Sequence, residues 1–317
     1  MKYKQLGQTG LYVSELTLGT MTFDTEGGSY AGLIGATGQD LATRMVDLSI
    51  EAGINIFDTA NVYSSGVSEE MLGQALGARR QDVLIATKVY NTMTTGPNDL
   101  GTSRLAIMRE VEASLKRLGT DYIDLYQVHN FDITTPLEET LRALDDLVRQ
   151  GKVRYIGLSN FAGWQIAKTD GMARLLGTER FCSAQSYYSL VGRELEREIL
   201  PAAMDLGLGT FIWSPLASGF LSGKYTRDSE ASGRRANFDY PPIDKDLGFD
   251  IVDVLTDIAE TKAASVAQIA LAWLLQRSPN ILLIPGTSSV EHLRQNVAAA
   301  NLALPEEAVA RLDGIGG

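Results

Sequence analysis

The stretch Ile123-Asp124-Leu125-Tyr126-Gln127-Val128, followed by residues Leu137 to Gln150 and then by Val153-Arg154-Tyr155-Ile156-Gly157-Leu158, reads as strand, helix, strand. In the middle piece Leu137, Leu141, Leu144, Leu147 and Val148 recur at steps of three and four, the apolar stripe of an amphipathic helix. A helix returning the chain between two strands of one sheet makes those strands parallel. Working outward, the same unit recurs around short β-branched runs at Glu15–Gly19, Ile54–Asp58, Val83–Val89, Phe181–Gln185, Gly209–Trp213 and Ile281–Pro285, with a second clear helix over Arg109–Leu118. Eight such units in 317 residues predict one α/β domain over 1–317, a closed (β/α)8 TIM barrel, with a doubly wound sheet as the alternative.

Segments that break the spacing carry information of their own. Lys4–Leu6 and Leu11–Val13, joined by Gly7-Gln8-Thr9-Gly10, read as an N-terminal β-hairpin placed to plug the barrel's bottom. Gly27–Gly38 holds five glycines, and its Gly32–Gly38 part reads as a flexible lid; Tyr90–Gly101 is a polar loop; Ser214–Asp250, rich in Gly, Pro, Ser and charge, reads as a long functional loop. Gly27–Gly38 and Tyr90–Gly101 would open on the C-terminal face, where barrel active sites lie. Neither Gly32–Gly38 nor Gly219–Tyr225 has the spacing of a dinucleotide fingerprint or a phosphate loop, and no glycine fingerprint follows the first strand, which argues against a Rossmann domain.

Hydrophobic residues make up 44% and charged residues 21% of the chain, enough apolar material for a large core, which excludes disorder or a disulfide scaffold as the theme. The net charge of −11 disfavours nonspecific binding to nucleic acid or to anionic membrane. The single cysteine, Cys182, lies in an apolar-leaning run and reads as a buried small hydrophobe. Met1–Leu6 lacks the apolar core of a leader, so a soluble cytoplasmic protein is expected. The two histidines, His129 and His292, sit in different settings, so no metal site is expected.

Three consecutive strands end in titratable groups: Asp58, Lys88 and His129. Adjacent strand ends converge in a barrel, so these three can meet, with Tyr63 reaching in from the loop after Asp58. A lysine at the end of an apolar strand needs a partner, and Asp58 is the obvious one. A cation beside the Tyr63 hydroxyl favours the phenolate and makes the phenol a better general acid. Asp124, inside a strand, reads as a structural contact.

These residues, in the motifs Phe57-Asp58-Thr59-Ala60-Asn61-Val62-Tyr63, Thr87-Lys88, Asp121 to His129 and Gly157-Leu158-Ser159-Asn160-Phe161, resemble the signatures of the aldo-keto reductases, from Leu6 to about Leu312. The resemblance implies a (β/α)8 barrel that binds NADP(H) without a Rossmann domain and reduces aldehydes or ketones by hydride transfer. It implies Tyr63 as acid, Lys88 tuning it, Asp58 paired with Lys88, and His129 orienting the carbonyl. It places Ser159, Asn160 and Gln185 on the nicotinamide carboxamide and Trp213 under the nicotinamide ring. It puts Ser214, Leu216, Gly219 and Leu221 in a loop over the pyrophosphate, and Gly286, Thr287, Ser288, His292, Gln295 and Asn296 around the adenosine.

In the best-studied branch of that family a Lys and an Arg meet the 2′-phosphate where Gly286 and His292 stand here, a departure that weakens the case for NADP(H); Thr287, Ser288, Ser289, the helix N-terminus and Arg294 can still hold a phosphate, so NADP(H) is the first expectation and NAD(H) the second. Phe23, Tyr30, Tyr90, Met93, Trp164 and Phe220 are candidates for an aromatic substrate pocket that would suit a bulky or cyclic carbonyl or alcohol. The resemblance extends to the auxiliary β subunits of potassium channels, which implies an alternative: a cofactor-binding sensor with little turnover. A metal-dependent hydrolase is opposed by the lack of clustered histidines.

Overall fold

A computed structural model describes residues 1–227 and 234–315. The chain opens with an antiparallel hairpin of β1 (Tyr3–Gln5) and β2 (Tyr12–Ser14). Eight parallel strands follow in sequence order: β3 (Leu18–Gly19), β4 (Ile56–Asp58), β5 (Leu84–Val89), β6 (Ile123–Val128), β7 (Val153–Ser159), β8 (Ser183–Tyr187), β9 (Gly209–Trp213) and β10 (Ile281–Ile284). Each pairs with its sequence neighbour, and the seam closes through isolated parallel bridges of Leu16 with Leu283 and Gly19 with Gly286. The expected barrel and hairpin are therefore present, and the doubly wound alternative is not.

Strand boundaries shift by a few residues at the seam. The predicted run Glu15–Gly19 gives a β3 of only Leu18–Gly19, because its first residues bond to β10 instead: Thr17 N–H donates to the Leu283 carbonyl at 2.8 Å, and Leu283 N–H to the Glu15 carbonyl at 2.9 Å. Phe181 and Cys182 likewise precede β8, which runs on to Tyr187.

The outer helices bury the faces that their periodicity marks. The helix Leu137–Arg149 seats Leu141, Leu144 and Leu147 at 0% exposure against the sheet, with Leu137 and Val148 at the edge of the same cluster. Burial of each such leucine stabilises the fold by roughly 1.5–3 kcal/mol. The helix Arg104–Leu118 begins at Ser103, whose side chain accepts from Ala106 N–H, and ends at Gly119 in the left-handed conformation that a side chain would disfavour. Asp124 is structural as expected: its Oδ2 receives Arg80 at 2.7 Å and the Ile85 N–H at 2.9 Å.

The hairpin closes the N-terminal end of the barrel. Leu6 and Val13, both fully buried, pack with Ile56, Ala86, Leu125, Phe211 and Leu282 from the barrel interior. Gly7 has φ +56, and a Cβ there would lie 2.4 Å from the Gly207 carbonyl oxygen, so glycine is required for the hairpin to sit this close. With one end plugged, the strand ends at the other are left to build a site.

Of the loops on that face, Gly27–Gly38 carries a single helical turn, Ala31–Ile34, which meets the short helix Arg234–Asn237 of the Ser214–Asp250 segment. Residues 228–233 of that segment lie outside the described residues. Its last part is helical, since the helix Lys245–Lys262 begins at the cap Asp244, earlier than the predicted loop end. Among the described residues, no single helix is long and apolar enough to cross a membrane.

Candidate active site

The ends of β4, β5 and β6 converge because adjacent parallel strands are in register: Phe57 opposes Ile85, and Lys88 opposes Gln127. Lys88 is fully buried. Its Nζ donates to Asp58 Oδ1 at 2.5 Å, to the Thr59 carbonyl at 2.8 Å and to the Tyr63 hydroxyl at 3.3 Å. Burial pushes its pKa down, but the Asp58 carboxylate and Tyr63 outweigh that and hold it above the usual lysine value. Asp58 Oδ2 accepts from Gln127 Nε2 at 3.1 Å and from Gln185 Nε2 at 2.8 Å, so the buried carboxylate is hydrogen-bonded on both oxygens.

Tyr63 begins a tight turn, Tyr63–Gly66, in which Ser64 and Ser65 hold positive φ of 49° and 55° before Gly66 at 99°. A run of left-handed non-glycine residues costs about 1 kcal/mol or more per position and persists where the surroundings dictate it, often at functional sites. His129 follows β6, with its ring 6.0 Å from that of Tyr63 in an edge-on arrangement. Burial, and secondarily Lys88, lower its pKa to about 3, so the ring is neutral. Its Nδ1 lies 3.1 Å from Asn91 Nδ2.

A cavity of about 720 Å3 runs from these groups along the strand ends. Asp58, Tyr63 and His129 line it, together with Ser159, Asn160, Gln185, Trp213, Ser214, Leu216 and Gly219, and with Gly286, Thr287, Ser288, His292, Gln295 and Asn296. Leu221 does not line it and is buried in the core, and Lys88 lies behind Tyr63.

Several side chains have positions the sequence did not foretell. Gln185 turns its amide to Asp58 and, at 3.3 Å, to Gln127 Oε1, so only its carbonyl oxygen is left for a ligand. Asn160, at φ +58, donates to the His129 carbonyl at 3.0 Å and accepts from Trp213 Nε1 at 3.0 Å, which ties three strand ends together. Ser159 Oγ is buried at the cavity wall without a hydrogen-bond partner among the described residues.

Of the expected substrate residues only Tyr30 reaches the cavity wall. Phe23 has no exposure and belongs to the core between sheet and helices. Phe220 is buried against Tyr225 and Phe249. Trp164 is 57% exposed and packs edge-on against Phe131, while Tyr90 and Met93 do not line the cavity, although Asn91 between them does. Two further aromatics line it that the sequence did not single out, Phe238 and Tyr240, from the segment after β9; the Tyr240 ring stacks on Trp213 at 5.8 Å and 13°. Their numbers lay inside a segment marked only as a functional loop, and no periodicity distinguished them. Gln127 was legible in principle, as an inward-pointing polar residue two before His129 on a strand.

The residues fit a nicotinamide dinucleotide. Ser159 offers a buried hydroxyl with no hydrogen-bond partner among the described residues, Trp213 an aromatic ring on the cavity wall, and Ser214, Leu216, Ser218 and Gly219 a loop that borders the same cavity. The helix Val290–Ala299 begins at the cap Ser289, directly after the cavity-lining Thr287 and Ser288. Among the described residues no group of His, Cys, Asp and Glu is placed to hold a metal ion.

Comparison with known proteins agrees with this geometry. The chain is 39% identical to the uncharacterized oxidoreductase YrpG of Bacillus subtilis, over 99% of this chain and 96% of that one. It is 34% identical to versiconal hemiacetal acetate reductase of Aspergillus parasiticus, over 99% and 96%. It is 36% identical to a probable voltage-gated potassium channel subunit beta of Oryza sativa, again over 99% and 96%. The sequence model of the aldo/keto reductase family matches residues 15–316, and the chain belongs to that family.

Proposed function

We propose that the protein reduces an aldehyde or ketone to the alcohol, with NADP(H) as the first choice of cofactor and NAD(H) as the second. What carries this reading is the approach of the Lys88 ammonium to 3.3 Å of the Tyr63 hydroxyl, with Asp58 fixed behind the lysine. A bound nicotinamide would supply the hydride. Ser159, Asn160, Gln185 and Trp213 would hold its ring, the Ser214–Gly219 loop its pyrophosphate, and Thr287, Ser288, His292, Gln295 and Asn296 its adenosine. Tyr63 delivers the proton to the carbonyl oxygen, and Lys88 stabilises the phenolate left behind. Neutral His129 donates a hydrogen bond to the same oxygen and so orients it.

Tyr30, Ile34, Phe238 and Tyr240 form an apolar and aromatic wall on this cavity, which suits a bulky or cyclic carbonyl. The relatives named as reductases of versiconal hemiacetal acetate and norsolorinic acid support a carbonyl substrate. The likeness to potassium channel β subunits favours one second reading, a cofactor-occupied sensor with little turnover.

Fluorescence titration with NADPH and NADH, followed by a nicotinamide consumption assay over aldehydes and cyclic ketones, tests both. Trp213 on the cavity wall should report binding by quenching. Binding with turnover supports the reductase; binding without turnover across a broad panel supports the sensor; no binding overturns both.

A further inference from the structure

We propose that Asn91 is a positioning residue that fixes the tautomer of His129, holding the ring proton on Nε2 by donating an amide N–H to Nδ1. The inference rests on the reductase reading only for its catalytic consequence; the tautomer itself is a property of the resting protein. Asn91 and His129 both line the cavity, and Asn91 Nδ2 lies 3.1 Å from Nδ1. A neutral imidazole has one donor and one acceptor nitrogen, so a bond received at Nδ1 places the proton on Nε2. The reversed amide, accepting from Nδ1–H, would leave Nε2 with a lone pair and no proton to offer a carbonyl oxygen.

The surroundings keep Asn91 in place. Its loop is closed at the base by Gly101 N–H donating to the Tyr90 carbonyl at 2.7 Å. Asp99, 2% exposed, accepts from the backbone N–H groups of Met93 and Thr94 and pairs with Arg109 at 2.6 Å. On the other side, His129 N–H donates to the Val89 carbonyl at 2.9 Å, and its own carbonyl is held by Asn160. The charged or titratable groups facing the ring are the Lys88 ammonium and the Tyr63 phenol, with Asp58 behind the lysine. A positive neighbour opposes a second ring proton, so the ring has to choose one nitrogen, and Asn91 is the group that biases the choice.

The chain's two histidines make the test direct. With 15N-labelled histidine, and His292→Gln to assign the signals, NMR should show His129 protonated on Nε2 and bare at Nδ1 between about pH 5 and pH 9. Asn91→Leu, which keeps the branched shape and removes the donor, should give a mixture of tautomers, and carbonyl reduction should fall roughly tenfold in kcat with NADPH affinity unchanged. Asn91→Asp, which can only accept, should move the proton onto Nδ1. A wild-type spectrum with the proton on Nδ1, or an Asn91→Leu spectrum identical to the wild type, would overturn the proposal. Neither spectrum needs turnover, so an absent reductase activity would count against the function and leave the tautomer assignment to stand or fall by itself.

Discussion

Lys88 and Asp58 form an ion pair of 2.5 Å in which the lysine side chain has no solvent exposure and the carboxylate side chain 4%. Such a pair adds little net stability over an apolar substitute, but loss of one member leaves an uncompensated charge. Asp58→Asn and Lys88→Met should therefore each destabilise the fold by about 3–5 kcal/mol in urea unfolding. Losses below about 1 kcal/mol in both variants would show that the pair is not buried in solution. Because the folded pKa of Lys88 lies above 10.5, its contribution is fully present below that value and disappears as pH rises through the folded pKa.

Tyr63 should be separable from binding. Tyr63→Phe should lower kcat for carbonyl reduction by about 10²–10⁴ and leave the NADPH dissociation constant nearly unchanged, because the hydroxyl is needed for protonation. A comparable loss of cofactor affinity would move Tyr63 from the acid to the binding surface.

His129 sets a second expectation in pH. With its folded pKa near 3 against an ordinary 6.5, the unfolded chain binds more protons between those values, so stability declines as pH falls from about 6.5 toward 3. The corollary is kinetic: the rate profile should show no histidine limb around neutrality. A kcat/KM limb near 6.5 that vanishes in His129→Gln but survives in His292→Gln would contradict it.

His292 stands on the exposed first turn of the helix Val290–Ala299 and lines the cavity. His292→Arg should tighten NADPH roughly tenfold, through a charge-assisted bond to phosphate, while NADH is hardly affected. Parallel tightening of both cofactors would place the 2′-phosphate elsewhere.

Cys182 is buried, and burial pushes its thiol up to about 12. A thiol-specific reagent at neutral pH should leave the native protein unmodified and label one equivalent after denaturation. Rapid labelling of the native chain would show that the region below β8 opens.

The expected tetrad was legible because parallel barrel strands all end on one face, so a strand-terminal Asp58, Lys88 and His129 needed only the fold to become neighbours. The same logic failed for Phe23 and Phe220: an aromatic near a loop says nothing about which side of the chain it faces, and packing sent both into the core. Phe238 and Tyr240 took the wall instead, from a segment with no periodicity to read.

Periodicity and order along the chain determined the barrel, its hairpin and the list of chemical groups at its mouth, because these depend on local alternation and on the rule that consecutive parallel strands are adjacent. Tertiary structure alone decided how those groups are shared out. Gln127 and Gln185 spend their amides on Asp58, Asn160 bridges His129 and Trp213, and Asn91 reaches His129 across 38 residues. Hydrogen bonds between side chains from different loops depend on backbone paths through three dimensions, and no spacing along the chain encodes them.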